Sequence, residues 1–397
     1  MTLVLNTEEV VQALDLDGYI AAMEEAFIEL GKGAAINAPR TEAGIPLLRY
    51  GASETIRLQA QRLLRAIPED GDPRQSPQWM KAAKESDELN YRLKTIAGGY
   101  PKCGIMALKI DSTTDTRPVI GGKKRSVKMP LGDGWRYTGM MLLFNIVTGE
   151  LLAILPLGPL QRNRVAATSA VGIKYLSRQE SETLGLIGSG FQAEGQVLAA
   201  VRVRRLKKIK VFSPNADHRA DFAARMEKAA GVEIVPVERP EAAFGGVDIA
   251  LSATTAMDPV FEFGWLQPGA HLGTINIMEA DNESFTRSNT VVVNARPFGG
   301  KSDLIHEFSM GKEMDTGGKT LNTKSARLDW QSMHELGDLL TGRIAGRRRQ
   351  EDITFHCNNI GLGIQHAATG ARILANARRL GLGREIPTEW FLQKDHT

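Results

Sequence analysis

The chain has 397 residues, 42% of them hydrophobic and 24% charged, the balance of a globular protein able to build sizeable cores. A formal charge of +3 excludes an extended nucleic-acid face, since the densest basic cluster, Arg347-Arg348-Arg349, is short and followed at once by Glu351 and Asp352. Cys103 and Cys357 stand far apart without metal-type spacing, so neither a disulfide framework nor a metal centre is expected, and a reducing compartment fits. The amino terminus lacks the basic flank and apolar core of a signal peptide, and no uncharged apolar run reaches eighteen residues; a cytoplasmic protein of two or three domains is expected.

In chain order, residues 7–32 have helical periodicity, with a break near Asp17-Gly18 and glycines at the end. Residues 34–51 carry two prolines and read as extended or looped. Residues 53–91 read as an insertion: a basic helix at 54–66, a proline-broken polar loop, then a helical stretch at 78–88. Strand-like runs follow at 104–110 and 137–145. The turn Thr148-Gly149-Glu150 and residues 151–157 make the second run a hairpin. Between the runs lies a polar loop, 111–134. Residues 164–176 are a helix of small residues.

From Glu182 the pattern changes to alternating strands and helices. Strands are expected at Thr183–Ile187, Lys208–Phe212, 233–235, 247–252, 271–277 and 290–294, with helices at Phe191–Val203 and Ala216–Ala230. Such alternation gives a doubly wound parallel sheet. The chain is helical again after Trp330, notably at 364–380, ending at Gly381 and Gly383.

The first of these strands ends at Gly188-Ser189-Gly190-Phe191-Gln192-Ala193. In a strand–turn–helix setting this is a dinucleotide loop. Gly188 makes the sharp turn, Gly190 lets pyrophosphate approach the backbone, and Ala193 keeps helix and strand close. The free N–H groups at the helix start then face the phosphates. The next strand ends in Ser213 with no acid on it. Ser213, Asn215 and Arg219 offer hydrogen bonds and a charge to a 2′-phosphate, which favours NADP(H) over NAD(H); Asp217 opposes this, and Asn215 would also serve as a helix cap. Ser252, Thr254 and Asn276, at later strand ends, complete the candidate cofactor contacts.

The run Arg164-Val-Ala-Ala-Thr-Ser-Ala170, then Lys174-Tyr175-Leu176, then Gly188-x-Gly190-x-Gln192-Ala193, resembles the ornithine cyclodeaminase/mu-crystallin family. The hairpin Asn145-Ile-Val-Thr-Gly-Glu150 and the late Asn359-Ile-Gly-Leu-Gly-Ile-Gln365 resemble it too, so the likeness covers most of the chain outside 53–91. It implies an α/β fold: a Rossmann-type doubly wound dinucleotide domain plus an α+β substrate-binding and dimerisation domain built from the N-terminal half and the C-terminal helix. The expected division is 1–163 for substrate and dimerisation, 164–329 for the dinucleotide, and 330–397 returning to the first domain.

The resemblance also implies hydride transfer to or from nicotinamide at the C–N bond of an amino or imino acid, in a homodimer. It places the substrate-binding arginines at Arg40 and Arg164 and the catalytic lysine at Lys109. Those residue types suit the chemistry: a carboxylate needs cations, ideally a bidentate arginine, and the nitrogen needs a proton carrier. Each also has a structural explanation, as a surface loop residue, a first-turn helix residue and an edge-strand lysine respectively. The family's catalytic aspartate has no gap-free counterpart in Gly269-Ala-His271-Leu-Gly-Thr-Ile-Asn276-Ile-Met-Glu279-Ala-Asp281. A short insertion brings Asp281 into place, with Glu279 as its substitute, unless both acids simply cap a helix. This displacement argues against cyclodeamination.

His366, where the family usually has Asp, either faces the substrate or packs near the helix start. Asn359 reaches either the nicotinamide or the backbone, and the loop at 111–134 is expected over the site. Two other functions remain in view: an ornithine- or lysine-type cyclodeaminase that recycles its NAD, and a nucleotide-binding protein without catalysis.

Overall fold

A computed structural model of the chain describes residues 1–48, 53–65, 88–120, 123–129, 138–296, 308–309, 312–313 and 328–393. Strand β1 (Thr2–Val4) leads to α1 (Thr7–Ala13), where Asn6 and Glu9 form a reciprocal capping box. Helix α2 (Leu16–Gly31) restarts at once because the Asp15 carboxylate accepts the Gly18 N–H at 2.8 Å. The helical break therefore falls at Leu14-Asp15, just before the Asp17-Gly18 pair where it was expected.

Next come β2 (Ile36–Asn37), β3 (Thr41–Pro46), α3 (Glu54–Arg65), β4 (Leu89–Tyr100), β5 (Ile105–Thr116), β6 (Val119–Ile120), β7 (Lys123–Lys124), β8 (Val127–Lys128), β9 (Thr138–Asn145) and β10 (Leu151–Pro156). Helix α4 (Gly158–Leu176) links the two halves. The second half runs β11 (Thr183–Ile187), α5 (Phe191–Val203), β12 (Lys208–Phe212), α6 (Ala216–Ala230), β13 (Glu233–Pro236), α7 (Pro240–Phe244), β14 (Ile249–Ser252), β15 (His271–Thr274), α8 (Asn282–Arg287) and β16 (Thr290–Val293). The short pair β17 (Phe308–Ser309) and β18 (Lys312–Glu313) precedes β19 (His334–Glu335), α9 (Leu336–Leu340), β20 (Thr354–Cys357), α10 (Gly363–Leu380) and β21 (Arg384–Ile386).

Two sheets organise these elements. The first has the order β2-β4-β5-β9-β10-β1-β21, with β3 also on β4 and β8 also on β5. The second is parallel throughout, with the order β13-β12-β11-β14-β15-β20-β16-β19. It is a doubly wound sheet whose order reverses between β11 and β14, the crevice in which such folds take dinucleotides.

The structure departs from the sequence expectations in several places. Strand β4 occupies residues inside and just after the expected insertion; its inward face carries Arg92 and Lys94, so the usual apolar alternation is missing. Strand β5 continues to Thr116 and takes up the start of the expected loop, because its inward side also turns polar after Ala107. Residues after 330 do not all return to the first domain: β20 is inserted between β15 and β16, while α10 and β21 join the first sheet's side. The expected division at 163/164 falls inside α4. The helix expected at 78–88 lies, apart from Glu88, outside the described residues.

One core binds α1, α2, α4 and α10 to the inner face of the first sheet, through residues such as Phe27, Tyr100, Leu143, Val171 and Ile364. Two more cover the faces of the parallel sheet, one around Phe244, Trp330 and Phe355 and one around Leu186, Val197 and Phe222. Helix α10 approaches β4 backbone to backbone. A Cβ on Gly363 would stand 1.9 Å from the Ala97 carbonyl oxygen, and one on Gly98 would stand 2.2 Å from the Gly363 carbonyl carbon. Only glycine fits on either side. Among the described residues no helix is long and apolar enough to cross a membrane, no cluster of metal-ligating side chains forms, and both cysteines are free.

Candidate active site

At the dinucleotide loop, Gly188 has φ +122° and donates its N–H to the Phe212 carbonyl at 2.8 Å. A Cβ there would meet the Ala253 carbonyl oxygen at 2.3 Å, so the turn itself requires glycine. Gly190 is different: its backbone is extended, and a Cβ would meet nothing within 4 Å. Its glycine answers to space left open in front of the loop.

Gly190 opens α5 without a side-chain cap, and Gln192 Oε1 is buried without a hydrogen-bond partner among the described residues. Ala193 is fully buried against the sheet, while the Phe191 ring is half-exposed under the Arg162 guanidinium, 4.8 Å from its centroid. Uncapped N–H groups and an open cradle fit a bound pyrophosphate. Arg162, which the sequence reading missed, brings a cation to this helix start.

At the end of β12, Asn215 caps α6 by accepting the His218 N–H at 2.9 Å. Arg219 lies over the Phe212 ring and donates to the Ser213 carbonyl at 2.6 Å, which holds its charge at the strand end. Ser252 ends β14 and Thr254 follows it, and both meet Glu279. That carboxyl is fully buried, accepts the Thr254 and Ile275 N–H groups and has the Ser252 hydroxyl beside it. Burial pushes its pKa up to about 7 against those hydrogen bonds. Asn276 caps the short turn at 277–279 through the Met278 N–H.

Both candidate acids have structural hydrogen-bond partners. Glu279 ties the end of β14 to the end of β15. Asp281 accepts the Ser284 N–H and hydroxyl and the Phe263 N–H, so it is the cap of α8. Asn359 also has a structural partner set, holding the backbone of Asn294 and Ala295.

Of the substrate candidates, Lys109 lies on the inner face of the first sheet, with Arg164 on α4 and Arg40 in the β2–β3 connection. Alternation along β5 turns Lys109, Asp111, Thr113 and Asp115 inward, all buried, and the register sets Lys94 opposite Asp111 and Glu42 opposite Lys94. Arg92 bonds Glu42 at 2.5 Å and Asp115 at 2.9 Å, and Arg40 bonds Glu42 at 2.9 Å. Burial alone would raise the Glu42 pKa, but Lys94, Arg40 and Arg92 bring it down to about 2.

Lys109 donates a short hydrogen bond to Asp111. Burial lowers its pKa to about 7, opposed by Asp111 and reinforced by the nearby charges of Arg164 and Arg40. Those three sequence candidates are thus brought into one electrostatic neighbourhood.

Arg164 is buried at the first turns of α4 and donates to Gln365 Oε1 at 3.0 Å. Gln365 is held in turn by the Leu362 N–H and by Thr168, and a Cβ on Gly361 would meet the Arg164 guanidinium at 2.9 Å. The glycines and glutamine of the 359–365 run therefore seat this arginine and dock the helix, a role their spacing did not disclose. Of the loop expected over the site, the Ser126 N–H meets the Thr255 carbonyl and Arg125 bridges Ala256, just after Thr254.

The ornithine cyclodeaminase/mu-crystallin family model matches residues 134–379, more than half of the chain. The chain belongs to the ornithine cyclodeaminase/mu-crystallin family. A relative within reach of sequence comparison is the Delta(1)-pyrroline-2-carboxylate reductase of Bacillus cereus, 28% identical over 254 residues, 62% of this chain and 74% of that protein. Among solved structures, the Thermococcus litoralis Delta(1)-pyrroline-2-carboxylate reductase with NADH and L-proline matches with TM-score 0.72 at 23% identity, covering 97% of this chain and all of that one. An archaeal alanine dehydrogenase dimer with bound NAD matches with TM-score 0.69 at 20% identity, over 97% and 99% of the two chains. This family member shares their whole fold.

The open cradle at Gly190 generates a test. Gly190→Val should leave the fold and its melting temperature nearly unchanged, because its backbone is extended and its Cβ unobstructed. It should weaken NAD(P)H binding, followed by fluorescence titration, by at least about tenfold, or ~1.4 kcal/mol. Unchanged affinity would mean that no dinucleotide occupies this space.

Proposed function

We propose that the protein is a nicotinamide-dependent oxidoreductase acting on the C–N bond of an amino or imino acid. The observation that carries this reading is Lys109: a buried amine bonded to Asp111 within the electrostatic reach of Arg164 and Arg40, its pKa brought down to about 7 by burial, in a chain with an open dinucleotide loop. The reductase and dehydrogenase relatives, with NADH, L-proline and NAD in their complexes, support it. The nicotinamide would supply or receive the hydride at the substrate carbon.

The chain's own residues do the rest. Arg164, oriented by Gln365, takes the substrate carboxylate in a buried site where a charged pair is strong. Arg40 adds a second cation from the β2–β3 connection. Lys109 gives a proton to the nitrogen in reduction and removes it in oxidation, with Asp111 fixing its position. Asp281 and Glu279 are both committed to backbone N–H groups, which favours redox chemistry over cyclodeamination. Arg219 at the acid-free end of β12 supports NADP(H) over NAD(H).

The assay is cofactor absorbance near 340 nm with Delta(1)-pyrroline-2-carboxylate, or with an oxo acid plus an amine. NADPH should be consumed with a lower KM than NADH, and Arg219→Ala should erase the difference. Reduction needs the Lys109 ammonium, so its rate should fall as pH rises through about 7, whereas oxidation should rise over the same range. Lys109→Ala should cost roughly 100-fold or more in kcat while cofactor affinity stays. Ammonia release without cofactor consumption would instead establish cyclodeamination, and cofactor binding without any turnover would remove catalysis from the account.

We also infer a homodimer formed through the outward face of the first sheet. There Ile45 and Leu93 lie on the same side of β3 and β4, exposed at 48% and 37%. Sedimentation equilibrium showing a monomer would contradict this.

A further inference from the structure

His366 is fully buried, and neither ring nitrogen has a hydrogen-bond partner among the described residues. Its location follows from helix geometry. On α10, Gly363 meets Ala97 and Gly98 of β4, and Gly370 meets Met141 and Leu143 of β9. His366 stands three residues after the first and four before the second, so it shares their face. Both flanking strands pair with β5 at the same two residues: Gly98 and Leu143 with Ala107, Ile96 and Met141 with Lys109. The imidazole therefore sits over β5 at Ala107 and Lys109.

A purely packing position on this surface of Gly, Ala, Met and Leu would be better filled by an aliphatic or phenyl group. An imidazole there leaves a donor and an acceptor dry and unmatched, which is costly unless a ligand meets them. The nearby cations have their own anchors: Lys109 holds Asp111, and Arg164 holds Gln365. Burial and the charges of Arg164 and Lys109 keep the ring neutral, with one N–H to donate.

We propose that His366 is a substrate-contacting, specificity-determining residue, its ring N–H donating to the carboxylate that Arg164 holds beside Lys109. The carboxylate so held has the Arg164 cation and a neutral donor around it, the donor coming from the α10 side. This rests on the amino- or imino-acid reading above, and it adds a residue to which that reading gives no role. It places no proton transfer on the ring.

The test uses the full chain with saturating NADP⁺ and pyrrole-2-carboxylate, a planar carboxylate that accepts no hydride, with pyrrole-2-carboxamide as the uncharged control. Calorimetry should show His366→Leu weakening the carboxylate probe about tenfold or more, with little change for the carboxamide. His366→Gln, which keeps an N–H donor, should retain most of the affinity. The melting temperature of the Leu variant should equal or exceed that of the parent, since an unmatched polar group has gone. Should Leu fail to fold, His366→Phe takes its place as the near-isosteric ring without nitrogen.

In turnover, the loss should appear in KM for the imino acid, leaving the pH profile in place. Equal probe affinity in wild type and Leu would overturn the proposal, as would absence of probe binding in wild type. A fall in kcat with a changed pH profile and constant KM would also overturn it, by making the ring a proton carrier. If the probe results hold but no imino acid is turned over, the redox reading fails and the contact stands. If turnover is present and the Leu variant is silent in KM and binding, the contact fails and the redox reading stands.

Discussion

The backbone contact between Gly98 and Gly363 sets the geometry on which the site depends. With a side chain on either residue, α10 would have to lift from β4, because the added carbon would fall well inside van der Waals distance of main-chain atoms. Lying this close, α10 carries Gln365 to Arg164 and His366 to the inner face of β5. The same docking joins the C-terminal helix to a sheet made mostly of N-terminal strands. One contact between chain segments more than 260 positions apart thus assembles the carboxylate side of the site.

Electrostatics then gives that assembly its chemistry. The inner face of β3, β4 and β5 buries Glu42, Arg92, Asp111, Asp115 and Lys109 together, with Arg40 and Lys94 less deeply placed. Such charges are tolerated only when paired, and most are. Lys109 is held by one carboxylate while two arginines oppose its charge, so burial brings it within reach of both protonation states. That is the condition for a group that must give a proton in one direction and accept it in the other. On the dinucleotide side, Glu279 ties two strand ends beneath Thr254, which shapes the loop without presenting an acid to the cleft.

Much of the parallel sheet was legible because buried strands and amphipathic helices alternate there, and because the Gly188–Ala193 run carries its own geometry. The strands β11 and β12 and the helices α5 and α6 lie where periodicity put them, whereas the run at 247–252 begins as a strand only at Ile249 and the run at 271–277 ends as one at Thr274. The first sheet was harder. Residues of β4 turn arginine and lysine inward, so the alternation that identifies a half-buried strand is inverted, and β5 shares the pattern after Ala107. Strand β20, Thr354–Cys357, lies in the stretch after Trp330 that reads as helical, and gains its place by pairing between β15 and β16. Lys109 and Arg164 could be named from the motifs around them. Their shared neighbourhood could not, because it is made by the docking of α10, and the capping role of Asp281 emerges only once α8 is in place.

The central claim is that an amino or imino acid binds with its carboxylate at Arg164 and its nitrogen at Lys109. A crystal structure of the protein with oxidised cofactor and L-proline or pyrrole-2-carboxylate measures this most directly. The account predicts the carboxylate within hydrogen-bonding distance of Arg164 and the ring nitrogen beside Lys109, with the pyrophosphate over Gly190. A ligand carboxylate bound away from Arg164, with Lys109 still turned to Asp111 and untouched by ligand, would contradict it.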